Sequence, residues 1–305
     1  MSLVLLPWTL FDSVFEIGKE VLDQQLGCIW LKDNLISVSL SGRINFLNPE
    51  NPSIPRKSFW GHNKSLVCAA ISDDKKKIIS GSYDGILNLW DVDTGECAPI
   101  SGVKFFSQVT AIAVKDDTVA AVGIGKVVKF ASISCCHFHP ETISTDTECM
   151  CLAMIDSDSC VIGCQKSIDL IQKRKMTHSL SVSYDVVSLA SFCGGSKILA
   201  CGTDKKLHFF SVDGSKLVAE NKEIDVGLAL GPVTTSRDGK RILVAVNAKY
   251  IYFYNAESLA EERRWLANSA RVTLIQFSDN EKYFATSGLD GAIRIFNPDE
   301  RNYRI

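Results

Sequence analysis

The chain has 305 residues, 46% hydrophobic and 22% charged, with a formal net charge of −2 and a pI near 6.2. That length and apolar content suffice for one large core, and no Pro/Gly/Ser-rich linker divides it. The acidic balance argues against a general binder of nucleic acid or anionic membrane, and no apolar run approaches the roughly 18 residues of a membrane-spanning helix. The opening MSLVLLPW lacks a basic leader and a small-residue cleavage site, so no secretory signal is expected.

From the N-terminus, Trp8 stands where a third strand would end, and Phe11 to Ile17 reads as a fourth, outermost strand with no unit of its own. Thereafter β-branched and aromatic runs alternate with turn residues. Inner strands are predicted to begin near Leu26, Leu66, Val109, Met150, Val187, Val233 and Val272. The best-formed unit is Gly61 to Asp91: a Gly-His opening, two β-rich runs, a Tyr-Asp-Gly turn and a closing Trp-Asp. Its Asp84 recurs as Asp204 and Asp290, at steps of about three and then two periods of roughly 40 residues. The turns at Ser39 to Arg43, Val122 to Lys126, Gly163 to Ser167 and Val246 to Tyr250 have lost the acid and kept the flanking strands. The last repeat has three strands, and an open strand edge invites pairing with other chains.

These repeats carry the signature of a WD repeat, one four-stranded propeller blade. The expected fold is all-β: a single seven-bladed β-propeller, closed by the N-terminal strand. The expected division is 1–20, a segment bearing the closing strand; 21–300, the propeller; and 301–305, a tail. His62 at the blade entrance, Ser80 in the second strand, Asp84 in the turn and Trp90 in the third strand are expected to form a buried hydrogen-bonded chain. Buried polar atoms are tolerated only when paired, so this role is structural. Gly85 completes the turn because it accepts φ > 0.

Second-to-third-strand turns of a propeller emerge on one rim, and five of the seven carry a basic residue: Arg43, Lys126, Lys166, Lys205 with Lys206, and Lys249. They read either as solvated lysines that keep turns soluble or as a crown that steers an acidic partner. The cysteines, 11 in all, are odd in number and sit mostly in apolar strands (Cys28, Cys68, Cys193, Cys201), as free buried thiols of a reducing compartment do. Cys135, Cys136, His137 and His139, followed by Cys149, Cys151, Cys160 and Cys164, lack the paired short spacing of a zinc site. Gly123 to Lys126, GIGK, lacks the glycine spacing and the Ser/Thr of a phosphate loop, and no histidine has a local Ser or Cys nucleophile. No metal, cofactor, small-molecule substrate or enzymatic activity is expected.

The stretch Val21 to Pro55, followed by Gly61 to Ser65, resembles actin-interacting protein 1, a WD-repeat family. Gly81 to Glu96, Gly231 to Val246 and Ser278 to Phe296 extend the resemblance, which runs from about Val21 to Asn297 and is weak between about Gln108 and Tyr184. It implies a cytoplasmic, actin-cytoskeletal protein that binds filaments and promotes their disassembly together with cofilin, without nucleic-acid or membrane partners. The family is similar to a pair of propellers in a chain about twice this length, and this sequence resembles the second half, with a new beginning at Met1 to Lys19. The resemblance therefore carries over no functional residue of the first propeller. It also lacks the family's final repeat after Asn297. A fragment, a truncated paralogue and an incomplete gene model all fit these departures. The alternative function is a generic WD-repeat interaction platform without actin activity.

Overall fold

A strand buried on one face alternates apolar and polar residues, whereas one buried on both faces reads as a continuous apolar run. The second strand of each repeat is buried on both faces, with small hydroxyl residues such as Ser37, Ser80 and Thr286 among its apolar ones, and Thr118–Gly123 and Phe284–Gly288 are buried at every position. A sheet built on such strands needs a neighbour on each face, which a ring of sheets provides. The computed structural model describes residues 14–16, 23–32, 34–48, 51 and 54–299. Among them every regular element is a β-strand.

Strand β1 is Val14–Glu16. Sheet I holds β2 (Gln25–Leu31), β3 (Asn34–Ser39), β4 (Arg43–Phe46) and β5 (Lys57–Trp60). Sheet II holds β6 (Leu66–Ile71), β7 (Lys77–Ser82), β8 (Leu87–Asp91) and β9 (Cys97–Pro99). Sheet III holds β10 (Val109–Lys115), β11 (Thr118–Gly123), β12 (Val127–Ser132) and β13 (His137–Ser144). Sheet IV has six strands: β14 (Cys149–Asp156), β15 (Ser159–Gln172), β16 (Lys175–Phe192), β17 (Lys197–Gly202), β18 (Lys206–Asp213) and β19 (Lys216–Asp225). Sheet V holds β20 (Leu230–Thr235), β21 (Arg241–Val246), β22 (Tyr250–Asn255) and β23 (Glu261–Leu266). Sheet VI takes β24 (Val272–Phe277), β25 (Phe284–Gly288) and β26 (Ala292–Phe296), with β1 at its edge. The strand beginnings expected near Leu26, Leu66, Val109, Met150, Val233 and Val272 each fall on the first strand of a sheet.

The expected seven-bladed ring closed by an N-terminal strand is corrected on both points. Counted as hydrogen-bonded sheets, the propeller has six blades. The repeats expected at Met150 and Val187 share sheet IV because β15 and β16 run through where a break was expected. Residues 165–172 of β15 pair with the first part of β16, and from Val186 onward β16 pairs with β17. Sheet IV encloses an apolar cluster of its own, with Val161, Ile168 and Leu170 against Val186, Ile198 and Phe210. The strand read at Phe11 to Ile17 is described for 14–16 alone, the rest lying outside the described residues. Val14 faces Arg294 and Glu16 faces Ala292 in antiparallel register. β1 thus takes the outer edge of the sheet that holds 272–296, where the sequence reading put it, and among the described residues it pairs with no strand of sheet I, so no strand-paired closure between sheets VI and I is described.

Side chains make that junction. Cys28, Trp30, Leu35 and Leu47 of sheet I pack with Ala285, Ile293 and Ile295 of sheet VI. Trp30 Nε1 donates to the Gln276 carbonyl at 3.1 Å, and Thr273 Oγ1 donates to the Gln25 carbonyl at 2.7 Å. The innermost strands converge on a central channel of about 590 Å³ lined by Gly27, Cys68, Ile112, Leu152, Ser188 and Thr273 among others. Trp30→Ala should therefore destabilise the fold by about 3–5 kcal/mol, as burial in this cluster requires. Trp60→Ala, at a ring 66% exposed, should cost no more than about 1 kcal/mol. Urea unfolding of both variants checks this, and equal costs would refute the role given to the junction.

Candidate functional site

Every second-to-third-strand turn needs a residue in the left-handed region to reverse the chain in so short a span. Gly42, Gly85 and Gly291 fill that place in sheets I, II and VI, at φ 88°, 76° and 78°. Gly85 is doubly constrained, since a Cβ there would lie 2.4 Å from the Phe105 carbonyl oxygen. In sheets III and IV the same place is held by Lys126 and Lys205, at φ 57° and 69°, whereas the turn expected at Gly163 to Ser167 is not formed and Lys166, at φ 63°, sits inside β15 at the bulge between Gln165 and Ser167. A non-glycine residue there costs on the order of 1 kcal/mol, so the lysine side chains must offset it. Two do so locally: Lys126 Nζ donates to the Asp146 carbonyl and Lys166 Nζ to the Ser183 carbonyl, both at 3.0 Å.

The structure divides the six basic residues into two groups. On sheets IV to VI part of the rim charge is matched. Lys166 pairs with Asp185 at 3.5 Å, Lys206 with Glu223 at 2.6 Å and Arg294 with Asp290 at 2.9 Å, and His208 lies 2.8 Å from Asp204. Lys205 and Lys249 there are exposed. On sheets I to III, Arg43 stacks over the Trp60 ring at 5.3 Å, and Lys64, Lys104 and Lys126 are exposed. None of these four has a carboxylate within ion-pair distance among the described residues. Asp23, which accepts from Ser41 in the sheet I turn, together with Asp84, Asp146 and Glu148 makes the region's net charge even, so these cations are unpaired without being in excess.

This half of the rim also exposes large apolar side chains, Trp60, Tyr83 at 52%, Phe106 at 97% and Ile124 at 41%, with Met150 at 48% next to them at the start of sheet IV. Backbone hydrogen bonds knit its turns and inter-sheet loops into one arc. Tyr83 donates to Ser65, Phe105 to Gly85, Ile124 to Gln108 and Thr145 to Lys126. Phe106 faces out because Phe105 faces in, edge-on to Phe138 at 6.2 Å. Beneath them Lys129, 4% exposed, donates from Nζ to the Val103 carbonyl at 2.8 Å and so pins the loop. Burial lowers the Lys129 pKa. Sequence reading found Arg43 and Lys126 and missed Trp60, Lys64, Tyr83, Lys104 and Phe106. The adjacent pair Phe105-Phe106 was the available signal, since only one of two neighbouring aromatics can enter a core from a short loop.

The expected hydrogen-bonded chain of sheet II centres on Ser80. His62 Nε2 lies 2.7 Å from Ser80 Oγ, and Trp90 Nε1 donates to the same oxygen at 2.7 Å, with Ser80 and Trp90 fully buried. Asp84 instead accepts the Ile86 N–H at 3.1 Å and acts on His62 through its charge. His62 Nδ1 is buried without a partner. Sheet VI arranges the equivalent place differently, with Asn268 donating to Asp290 at 2.9 Å and accepting from Thr286 at 3.0 Å. Of the Cys/His-rich stretch, His137 Nδ1 lies 2.8 Å from Ser101 Oγ and Arg174 donates to His139 Nδ1 at 3.1 Å. Among the described residues no group of three or more His, Cys, Asp or Glu side chains is arranged to hold a metal ion.

Comparison with known proteins adds identity to this geometry. The family model described as "WD domain, G-beta repeat" matches residues 53–91 and 262–297. The chain is 31% identical over 299 residues to WD repeat-containing protein 1 of Xenopus tropicalis, covering 96% of this chain and 49% of that protein. It is 32% identical over 289 residues to actin-interacting protein 1 of Drosophila melanogaster, covering 93% of this chain and 47% of that protein. Against actin-interacting protein 1 of Caenorhabditis elegans it is 27% identical over 302 residues, covering 94% and 48%. The chain thus spans about half the length of the curated relatives it matches.

Desolvation lowers the His62 pKa below the ordinary 6.5, which makes the Ser80 site sensitive to acid. The unfolded chain then binds the proton more readily than the folded one. Stability from this group is complete above pH 6.5 and is lost as pH falls through the lowered folded pKa. The urea midpoint should fall between about pH 7 and 5, less steeply in His62→Gln. Ser80→Ala, which strips a partner from both His62 and Trp90, should cost about 1–3 kcal/mol at pH 7.5, more than Asp84→Ala. Chemical denaturation at several pH values measures both, and an unchanged His62→Gln slope would refute the assignment.

Proposed function

We propose that this chain, which is a WD-repeat protein related to actin-interacting protein 1, is a scaffold that binds actin filaments through the rim of sheets I to III and promotes their disassembly together with cofilin. WD-repeat propellers are a non-catalytic family, so its work is to present a surface. The observation that carries the actin part is the 32% identity, over 93% of the chain, to a protein named for its interaction with actin. Cofilin, and a cytoplasmic, cytoskeletal location, follow from the family resemblance. The arc supplies suitable chemistry: Trp, Tyr, Phe, Met and Arg are the side chains enriched at protein interfaces, and unpaired cations steer an acidic partner. Arg43 and Lys126 fall in the arc. Lys205 and Lys249 would add to long-range steering, whereas Lys166 and Lys206 are already engaged with carboxylates.

A second reading, a general interaction platform without actin activity, is favoured by the family model, which matches residues 53–91 and 262–297 as a WD domain and names no partner. Co-sedimentation with filaments, bare and cofilin-decorated, separates the two. The unaltered chain should pellet with decorated filaments, less so as salt rises. Combining Trp60→Ala, Lys104→Glu and Phe106→Ala should weaken binding about tenfold or more, the loss expected when central anchors are removed, with thermal unfolding unchanged. Lys166→Glu with Lys206→Glu should weaken it less. Absence of the unaltered chain from both pellets would favour the platform reading.

A further inference from the structure

Beneath the rim of sheet IV two thiols face each other across a strand pair. Cys149 opens β14, Cys164 lies in β15, and the two are directly opposite in antiparallel register. Their sulfur atoms are 3.5 Å apart, and both side chains are fully buried. Opposite residues of antiparallel strands have Cα atoms about 4.5 or 5.5 Å apart, and both separations lie inside the roughly 4.4–6.8 Å that a disulfide spans. Joining them needs no new path of the backbone. The register also selects this pair, since Cys151 faces Gly163 and Cys160 faces Met154.

The surroundings make the two sulfurs unequal. Cys164 donates toward Cys149, and Thr145 Oγ1 lies 3.2 Å from Cys149 Sγ. The Cys164 contact, followed by that of Thr145, holds the Cys149 thiol below its ordinary pKa against the effect of burial. Cys164 is pushed up by the same contact, by burial and by the Asp169 carboxylate 3.5 Å away. Asp169 is itself 3% exposed and accepts the Ser179 hydroxyl at 2.6 Å. A lowered thiol beside a protonated one is the arrangement of an attacking and a resolving cysteine. Only a thin cover separates them from solvent: Met150, Gln165 and Lys166 next to them are exposed, and the loop 145–148 is tied over them by Thr147 Oγ1 donating to the Gln165 carbonyl at 2.9 Å.

We propose that Cys149 and Cys164 form a site of reversible oxidative modification that takes a small hydroperoxide and closes to a disulfide. The Cys149 thiolate attacks a peroxide oxygen; an S–O bond forms, the O–O bond breaks, and the leaving hydroxide takes up the proton shed by the thiol. The Cys149 sulfur is oxidised to a sulfenic acid and the peroxide is reduced. Cys164 sulfur then attacks Cys149 sulfur; the S–S bond forms, the S–O bond breaks, and hydroxide leaves as water with the Cys164 proton. Two thiols and one hydrogen peroxide become one disulfide and two waters. The loop 145–148, which contacts Cys149 through Thr145, is the part of the rim that the change reaches first.

Iodoacetamide applied to the native full-length chain first caps exposed Cys97, Cys135 and Cys193. Hydrogen peroxide is then added, and the remaining thiols are alkylated with an isotopically distinct reagent after denaturation. Cleavage before aspartate separates 146–155, which carries Cys149 and Cys151, from 158–168, which carries Cys160 and Cys164. The two fragments should be recovered joined and lighter by two hydrogens than their reduced sum, and dithiothreitol should part them. Fragmentation should place the link at Cys149 and Cys164. It should persist in Cys151→Ser and vanish in Cys149→Ser and Cys164→Ser. Full alkylation of both cysteines after peroxide, or a link through Cys151 or Cys160, would overturn the proposal, and the unsubstituted chain decides this without any variant.

Discussion

Each sheet is built on a second strand whose two faces are both buried, and the rest of the structure follows from the need to cover both. β7, β17 and β21 are buried at every position after the first, and β11 and β25 throughout. A flat stack of such sheets would always leave two faces open to water, which apolar surface disfavours by about 25 cal/mol for each Å². A ring leaves none. Apolar clusters accordingly occur at every junction between neighbouring sheets, including the one that brings sheet VI against sheet I.

Sheet IV shows how the same constraint tolerates a change in strand pairing. Its two halves still cover each other's apolar faces, although β15 and β16 carry the hydrogen bonding continuously from one half to the other. The packing of a repeat is preserved while its boundary disappears. This is also where Cys149 and Cys164 lie opposite one another, in a strand pair held by the ladder on either side.

The rim is where the constraint relaxes. Turns and inter-sheet loops contribute little to the core, so their side chains are free to serve a surface, and the two halves of the ring use that freedom differently. Sheets IV and VI pair Lys166, Lys206 and Arg294 with carboxylates of their own, while Lys205 and Lys249 stay open. The arc from Arg43 to Met150 leaves cations and large apolar groups open, held in place by buried groups beneath such as Phe105 and Lys129.

By itself the sequence determined what depends on local chemistry. The repeat period, the strand runs, the turn at Gly85 and the residues that meet at Ser80 all follow from residue type at fixed spacing, because β-branched runs, left-handed turns and buried hydroxyls make the same demands wherever they occur. The fusion of two repeats was partly visible too, since Lys175–Phe192 contains neither Gly nor Pro to end a strand. Tertiary structure alone decided how strands were shared among sheets, because a strand ends where its hydrogen-bonding partner does, and that partner is chosen by the fold. It likewise decided which lysines found carboxylates, and which of Phe105 and Phe106 turned outward. Those outcomes rest on contacts between residues far apart in the chain, as when Lys129 reaches the Val103 carbonyl and fills the space beneath the loop.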